Sequence, residues 1–221
     1  MSCETCTASQ AAELAASLQS PFCPNCGGLL PLPSDMSPFA LFGMPESFSL
    51  DSAALTAKHL ELSQKLHPDR FVRASQNERL RALAWTSALN DAMRLLKSPE
   101  ERANYLLKKR GIDLAAESGE AAQRRLPAEF LETALSEREE LFEAQAEGDH
   151  QRASALADGI RRRMTANLKV MTDCFQKLES DQARGIDTSK TLDAAASALA
   201  HIRYDSRFLE EADRFEMEDL D

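Results

Sequence analysis

Apolar residues recur at helical spacing along most of the chain beyond residue 50. Asp51 is a predicted N-cap, and Leu55, Leu62 and Leu66 lie on one face of the helix that follows it. A second long helix is predicted from about residue 76 to residue 97. Its apolar positions are Leu80, Leu83, Ala84, Ala88, Met93 and Leu96. Two antiparallel helices joined by a short loop bury a core between them, so we expect a helical hairpin.

Helical periodicity continues through the rest of the chain. Ser98, Pro99 and Glu101 form the N-cap, first-turn proline and capping-box pattern of a helix that ends before Gly111. Three further amphipathic helices are predicted at about 127–146, 150–180 and 188–217, and we expect them to form an antiparallel bundle. On the first of these helices one stripe carries Leu131, Leu135, Arg138 and Phe142.

Composition and charge support an all-α protein with an uneven charge distribution. Eight Gly and nine Pro in 221 residues are few, which favours long helices. Residues 35–110 carry 12 basic and 9 acidic residues, whereas residues 111–221 carry 14 basic and 25 acidic residues. The total formal charge of −10 argues against a general nucleic-acid binder, so we expect no nucleic-acid partner.

The sequence also bears on location. It contains no apolar run of about 18 residues, so no membrane-spanning segment is expected. Its first basic residue is Lys58, which disfavours both a secretory signal and an Arg-rich presequence. We therefore expect a cytoplasmic protein without a membrane partner.

Four cysteines near the N-terminus form two Cys-x-x-Cys pairs, Cys3 with Cys6 and Cys23 with Cys26, separated by sixteen residues. This spacing is typical of a structural zinc site with four thiolate ligands. Iron in the same geometry remains an alternative. Two disulfides or a redox pair are disfavoured, because no secretory signal and no βαβ pattern accompany the cysteines. We predict a small zinc-binding domain over residues 1–34.

The break between the two long helices carries His67-Pro68-Asp69. Pro68 disfavours helical dihedral angles at His67 and lacks an amide donor, so the helix should end there and leave its neighbours exposed. Taken alone, the tripeptide fits an ordinary helix-ending proline equally well. Lys58 and Lys65 share one face of the preceding helix, which indicates either a solvated charged surface or a basic docking strip.

Together these segments resemble a J-domain, and the segments that follow resemble the HscB type of J-protein co-chaperone. The later motifs are the run 89–99, the run Arg102–Leu107 followed by Gly111, and the run Phe130–Leu141. The resemblance covers about residues 38–210, and the four-cysteine N-terminus is similar to an extension of some members. It implies an all-α fold, with a J-domain at 35–112 and a three-helix bundle at 113–221 after the zinc-knuckle domain.

The resemblance implies an adaptor that is not itself an enzyme. The family's J-domain engages an HscA-type (DnaK-like) chaperone and stimulates its ATP hydrolysis, and the family's bundle delivers the iron–sulfur scaffold IscU. The residues implied in chaperone binding are His67, Pro68, Asp69, Lys58, Lys65 and Arg70. Those implied in scaffold binding are Leu131, Leu135, Glu139, Glu143 and Tyr204. No catalytic residue and no cluster of its own are expected.

Several alternatives stay open from the sequence. The leucines of the first bundle helix fit a bundle core as well as an interface, because periodicity does not separate the two. Glu132 and Ser136 depart from the apolar and acidic residues of the family's scaffold-binding pattern, and His59 replaces an aromatic residue. The client could differ from IscU, and a metal-dependent or His/Asp hydrolase is a remoter alternative. The sequence leaves a homodimer open.

Overall fold

The computed structural model describes residues 20–117 and 125–218, and within them the regular structure is helical. The α-helices in these ranges are α1 (Pro38–Leu41), α2 (Ser52–Leu66), α3 (Gln76–Lys97), α4 (Pro99–Lys109), α5 (Ala128–Glu147), α6 (His150–Ala183) and α7 (Ser189–Glu218). The β-structure in these ranges is limited to an isolated antiparallel bridge between Phe22 and Leu29. The predicted all-α class is confirmed. None of the described helices has the length and hydropathy needed to span a bilayer.

The chain forms two compact units. The first comprises Met1–Glu46 and Leu50–Arg102, and the second comprises Ser47–Ser49 and Ala103–Asp221. The first unit therefore holds α2 and α3, and the second holds α5, α6 and α7. Each unit has its own buried apolar residues.

The hairpin of the first unit begins and ends on strong local signals. Asp51 caps α2, because its carboxylate accepts hydrogen bonds from the amides of Ala53 and Ala54 at 2.9 and 3.0 Å. Ser75 and Glu78 form a capping box at the start of α3. A 3₁₀ turn, Pro68–Phe71, joins the two helices. The predicted hairpin is therefore present, with the proline at its tip.

The core of the hairpin differs from the predicted apolar stripe on α3. Its buried residues on that helix are Ala82, Trp85, Leu89, Ala92 and Leu96. Leu80 and Leu83, two of the apolar positions at helical spacing, are 58% and 60% exposed and lie outside this core. Apolar residues occupy more than one face of α3, and the large indole of Trp85 marks the face that packs inward.

An N-terminal β-turn segment packs against α3 within the first unit. The indole Nε1 of Trp85 donates a buried hydrogen bond to the carbonyl of Leu30 at 2.8 Å. Arg81 donates to the carbonyl of Leu29 at 3.1 Å. Leu29 and Leu30 are themselves buried. This segment is thus fixed to the hairpin by both apolar contacts and hydrogen bonds.

The second unit is built around helices that meet through small residues. α5 ends at Gly148, which adopts a left-handed conformation with φ of 66°, and Asp149 then caps α6. One core cluster draws residues from all three long helices: Leu141, Ala144, Ala153, Ala157, Ile160, Phe208 and Ala212. The four alanines allow close approach of the helices, and Leu141, Ile160 and Phe208 fill the space between them.

Candidate functional site

The His67–Arg70 loop is exposed at the tip of the hairpin, as predicted. All four of its residues are exposed, and the Asp69 side chain is 85% exposed. His67 shapes the turn, because its Nδ1 accepts a hydrogen bond from the Asp69 amide at 3.3 Å. One oxygen of the Asp69 carboxylate lies 3.5 Å from the same nitrogen. The arrangement therefore presents a carboxylate to solvent on a short, defined turn.

The base of this loop is fixed to α3. Thr86 donates from its hydroxyl to the carbonyl of Leu66, the last residue of α2, at 3.2 Å. The Arg70 amide donates to the carbonyl of His67 at 2.9 Å, which closes the 3₁₀ turn. Leu66 is fully buried. The exposed loop therefore directly follows a buried residue, Leu66, whose carbonyl accepts a hydrogen bond from α3.

The basic face of α2 is partly neutralised. Glu61 accepts hydrogen bonds from Lys58 at 3.1 Å and from Lys65 at 2.7 Å. The hydrogen bond with Lys65, then that with Lys58, lowers the pKa of the Glu61 carboxyl. Both lysines remain about half-exposed. The face thus carries two cations that share one carboxylate, and its net charge is smaller than the lysines alone suggest.

His59 links the two helices of the hairpin through a polar contact. Its Nε2 lies 3.1 Å from Oδ1 of Asn90 on α3 and 3.4 Å from the hydroxyl oxygen of Ser63. Its ring also lies 6.3 Å from that of Phe42, centroid to centroid. A hydrogen-bonding imidazole therefore occupies the position at which the family pattern has an aromatic residue.

The outward face of α5 carries the residues predicted to bind the scaffold. Leu135 is 57% exposed, and Glu139 and Glu143 are exposed beside it. Leu131 is half-buried. Leu135 therefore lies outside the bundle core, so the core alternative fails for this residue. The predicted stripe is a surface feature at Leu135, and the core of α5 is formed by Ala134, Leu141 and Ala144.

Tyr204 of α7 contacts α5 through the aromatic ring of Phe130. It is half-buried and packs edge-on against Phe130 of α5 with ring centroids 5.4 Å apart. The imidazole of His201 packs against the same ring at 4.3 Å. The guanidinium of Arg163 lies over that ring, 5.2 Å from its centroid. Phe130 is therefore the centre of a cluster that holds Tyr204 in place.

Arg163 is the residue that sequence reasoning missed. It donates to Glu137 of α5 at 2.8 and 2.9 Å, and to Asp205 of α7 at 2.6 and 3.0 Å. Hydrogen bonding to Asp205, opposed by burial and supported by Glu137, raises the pKa of Arg163. The run Arg161–Arg163 gives no sign of which arginine faces inward. Only the spacing of Arg163 from Ile160, a core residue, could have indicated it.

A second arginine organises the acidic end of α5. Arg152 pairs with Glu140 at 3.2 Å, with Glu143 at 3.1 Å and with Glu147 at 3.8 Å. The hydrogen bonds that Arg152 donates to Glu140 and then to Glu143 raise the pKa of its guanidinium. One cation among three carboxylates leaves this end of the helix negatively charged. The Glu143 carboxylate is 63% exposed and accepts one of these hydrogen bonds.

The second Cys-x-x-Cys pair lies in a tight turn. Cys23 donates from its amide to the carbonyl of Gly28, and Gly27 donates from its amide to the carbonyl of Cys23, both at 2.8 Å. Gly27 has φ of 70°, which a glycine adopts without strain. Cys23 is buried and Cys26 is exposed. This compact turn suits a metal-binding knuckle, whereas Cys3 and Cys6 lie outside the described residues.

Residues 20–117 and 125–218 contain no group of three or more His, Cys, Asp or Glu side chains placed to hold a metal ion. These ranges include one of the two cysteine pairs and therefore half of the predicted ligand set. The four-thiolate site remains a prediction.

No family model matches the chain. A co-chaperone protein HscB homolog of Cupriavidus taiwanensis is 36% identical over 167 residues, which cover 67% of this chain and 93% of that relative. The chain belongs to the HscB co-chaperone family. An HscB homolog of Ralstonia nicotianae is 42% identical over 111 residues, which span 50% of this chain and 61% of the relative, less than two thirds of its length.

Solved HscB structures share the fold. Human co-chaperone protein HscB matches with a TM-score of 0.75 and 24% identity, over 91% of this chain and 92% of the human chain. Chaperone HscB from Vibrio cholerae matches with a TM-score of 0.66 and 27% identity, over 83% of this chain and 99% of the other. For this HscB-family chain the all-α fold implied by the sequence resemblance is thereby confirmed, whereas the N-terminal zinc-knuckle domain stays a prediction.

Proposed function

We propose that this HscB-family protein is a J-protein co-chaperone for iron–sulfur cluster assembly. It stimulates ATP hydrolysis by an HscA-type (DnaK-like) chaperone and delivers an IscU-type scaffold to that chaperone. The observation that carries the proposal is the Asp69 carboxylate, 85% exposed on a turn that His67 shapes. A charged group held outward in this way is suited to act on another protein.

The chaperone-binding part of the proposal rests on charge. Asp69 forms a charge-assisted hydrogen bond with a cationic side chain of the chaperone. If that side chain is better placed in the hydrolysing conformation, the bond shifts the chaperone toward that conformation. Lys58, Lys65 and Arg70 orient the encounter with an acidic surface, and such steering acts mainly on the association rate. Pro68 keeps the turn open by ending α2.

The scaffold-binding part rests on the outward face of α5. Leu135 supplies exposed apolar surface, and Glu139 and Glu143 supply negative charge on the same side of the helix. Leu131 and Tyr204 complete the face at its N-terminal end. An apolar centre with a charged rim is the usual organisation of a specific protein interface. We expect the scaffold to offer an apolar patch bordered by basic residues.

One experiment tests both parts of the proposal. ATP hydrolysis by a purified HscA-type chaperone is measured alone, with this protein, with an IscU-type scaffold, and with both. We expect faster hydrolysis with this protein and a further increase when the scaffold is present. An unchanged rate in every mixture would contradict the proposal. Stimulation by this protein without any scaffold effect would favour a J-protein that serves another client.

The four cysteines would hold a structural zinc ion. The proposed ligands are Cys3, Cys6, Cys23 and Cys26, and the turn formed around Gly27 fits the second half of such a site. Bound zinc would cross-link the N-terminal segment, which is too small to stabilise itself through an apolar core. Four thiolates would fill the tetrahedral coordination of the ion and leave no position open for a substrate, so we assign the cysteines a structural role and no part in catalysis.

A further inference from the structure

Phe142 is the most exposed large apolar side chain on α5. It is 72% exposed, compared with 57% for Leu135. Seven residues separate the two side chains, which corresponds to about two helical turns and roughly 10 Å along the helix. They therefore lie on the same outward face, with Glu139 between them.

The fold gives no reason for a phenylalanine at this position. The adjacent Leu141 is buried in the core cluster, so the Phe142 side chain on the next position is directed away from that core. A polar residue at position 142 would be equally compatible with the helix and with the packing of the bundle. An exposed aromatic ring that packing does not require is typical of an interaction surface, where aromatic residues are enriched.

The surroundings of Phe142 define the chemistry of its partner. Glu143 follows it directly and is held by Arg152 at 3.1 Å, within a group that keeps excess negative charge. Arg138, one turn before Phe142, pairs with Glu211 of α7 at 3.0 Å, so its positive charge is offset. A matching surface therefore has an apolar pocket bordered by basic side chains.

We propose that Phe142 extends the scaffold-binding surface of α5 and inserts into an apolar pocket of the IscU-type scaffold. This inference rests on the proposed function, because it assigns the same partner to a longer face. The extended surface consists of Leu131, Leu135, Glu139, Phe142 and Glu143. Continuity with Leu135 along one helical face and the shared acidic rim favour the scaffold over a second copy of this chain.

The test compares the affinity of a purified scaffold for four forms of this 221-residue chain. These are the wild type, Phe142→Ser, Leu135→Ser and Leu83→Ser. Leu83 is the matched control, because it is a similarly exposed leucine, at 60%, that lies on α3 of the first unit. Isothermal titration calorimetry gives the affinities, and circular dichroism gives the thermal midpoint of each form.

We expect Phe142→Ser to weaken scaffold binding by about tenfold or more without lowering the thermal midpoint. Leu83→Ser should bind as tightly as the wild type. If Phe142→Ser binds normally while Leu135→Ser is impaired, the inference is wrong and the proposed function stands. If the wild type does not bind the scaffold, the proposed function fails and the inference with it. A wild-type dimer that Phe142→Ser dissociates, with scaffold affinity unchanged, would also overturn the inference.

Discussion

Arg163 of α6 and Asp205 of α7 are joined by two hydrogen bonds of 2.6 and 3.0 Å. The Asp205 side chain is completely buried, and Arg163 is about one quarter exposed. Because Arg163 also binds Glu137 of α5, one guanidinium connects all three long helices of the second unit. The same guanidinium lies over Phe130, which packs against Tyr204 of the face proposed to bind the scaffold.

Replacing Asp205 with Ala should destabilise the second unit by roughly 3 kcal/mol, because it leaves a largely buried guanidinium with half of its partners. Urea unfolding followed by circular dichroism measures this change. Asp213→Ala is the matched control, since Asp213 also pairs with an arginine of α6, Arg161 at 2.8 Å, but both groups are about half-exposed. Its cost should stay below about 1 kcal/mol. Equal losses for the two variants would show that burial of Asp205 is energetically unimportant.

The helices could be predicted from sequence more fully than the faces that they bury. Asp51 and Pro68 determine the limits of α2 through local chemistry, and both limits were predicted. The burial of Trp85 in place of Leu80 and Leu83 was not predicted. That choice depends on which neighbours surround α3, and periodicity along one helix does not contain this information.

Glu61→Gln should accelerate association with the HscA-type chaperone. The substitution removes the carboxylate that Lys58 and Lys65 share, so both cations become available to an acidic partner surface. Stopped-flow measurements should show a rate constant increased by about two- to tenfold at low ionic strength, with the gain lost at high salt.

Glu210→Gln makes the same change of charge at an exposed position of α7 and serves as the control. It should leave the association rate constant close to that of the wild type. Slower association of Glu61→Gln would mean that the carboxylate itself contacts the chaperone, which would contradict a docking strip formed by the two lysines.

Removal of zinc should change the fluorescence of Trp85, the only tryptophan in the chain. Its indole donates to the carbonyl of Leu30, four residues beyond Cys26, so loosening of the metal turn exposes the ring to water. We expect about one zinc ion per chain as purified, and a red-shifted emission after chelation.

Cys23→Ser should reproduce the fluorescence of the chelated protein, and Cys174→Ser should not. Burial, with the nearby Asp173 charge, raises the pKa of the Cys174 thiol, which makes it a poor metal ligand at neutral pH. A preparation without metal, or an emission spectrum unaffected by chelation, would contradict a zinc site coupled to this segment.

The candidate site was predictable to different degrees. The exposed His67-Pro68-Asp69 turn could be predicted from the proline alone, because the constraint on the backbone is local. The exposure of Leu135 and Phe142 could not be predicted, because apolar residues at this helical spacing could equally have been buried in the bundle core. The three-helix contact of Arg163 depends on Glu137 and Asp205, which lie far from it in sequence.

The central claim is that the Asp69 carboxylate activates a partner ATPase, and single-turnover ATP hydrolysis by the HscA-type chaperone tests it most directly. Asp69→Asn keeps the shape of the side chain and removes its charge. Asp91→Asn is the matched control, because Asp91 lies in the same unit and is also exposed, at 64%. We expect stimulation to be almost completely lost with Asp69→Asn and retained with Asp91→Asn. Full stimulation by Asp69→Asn would contradict the account.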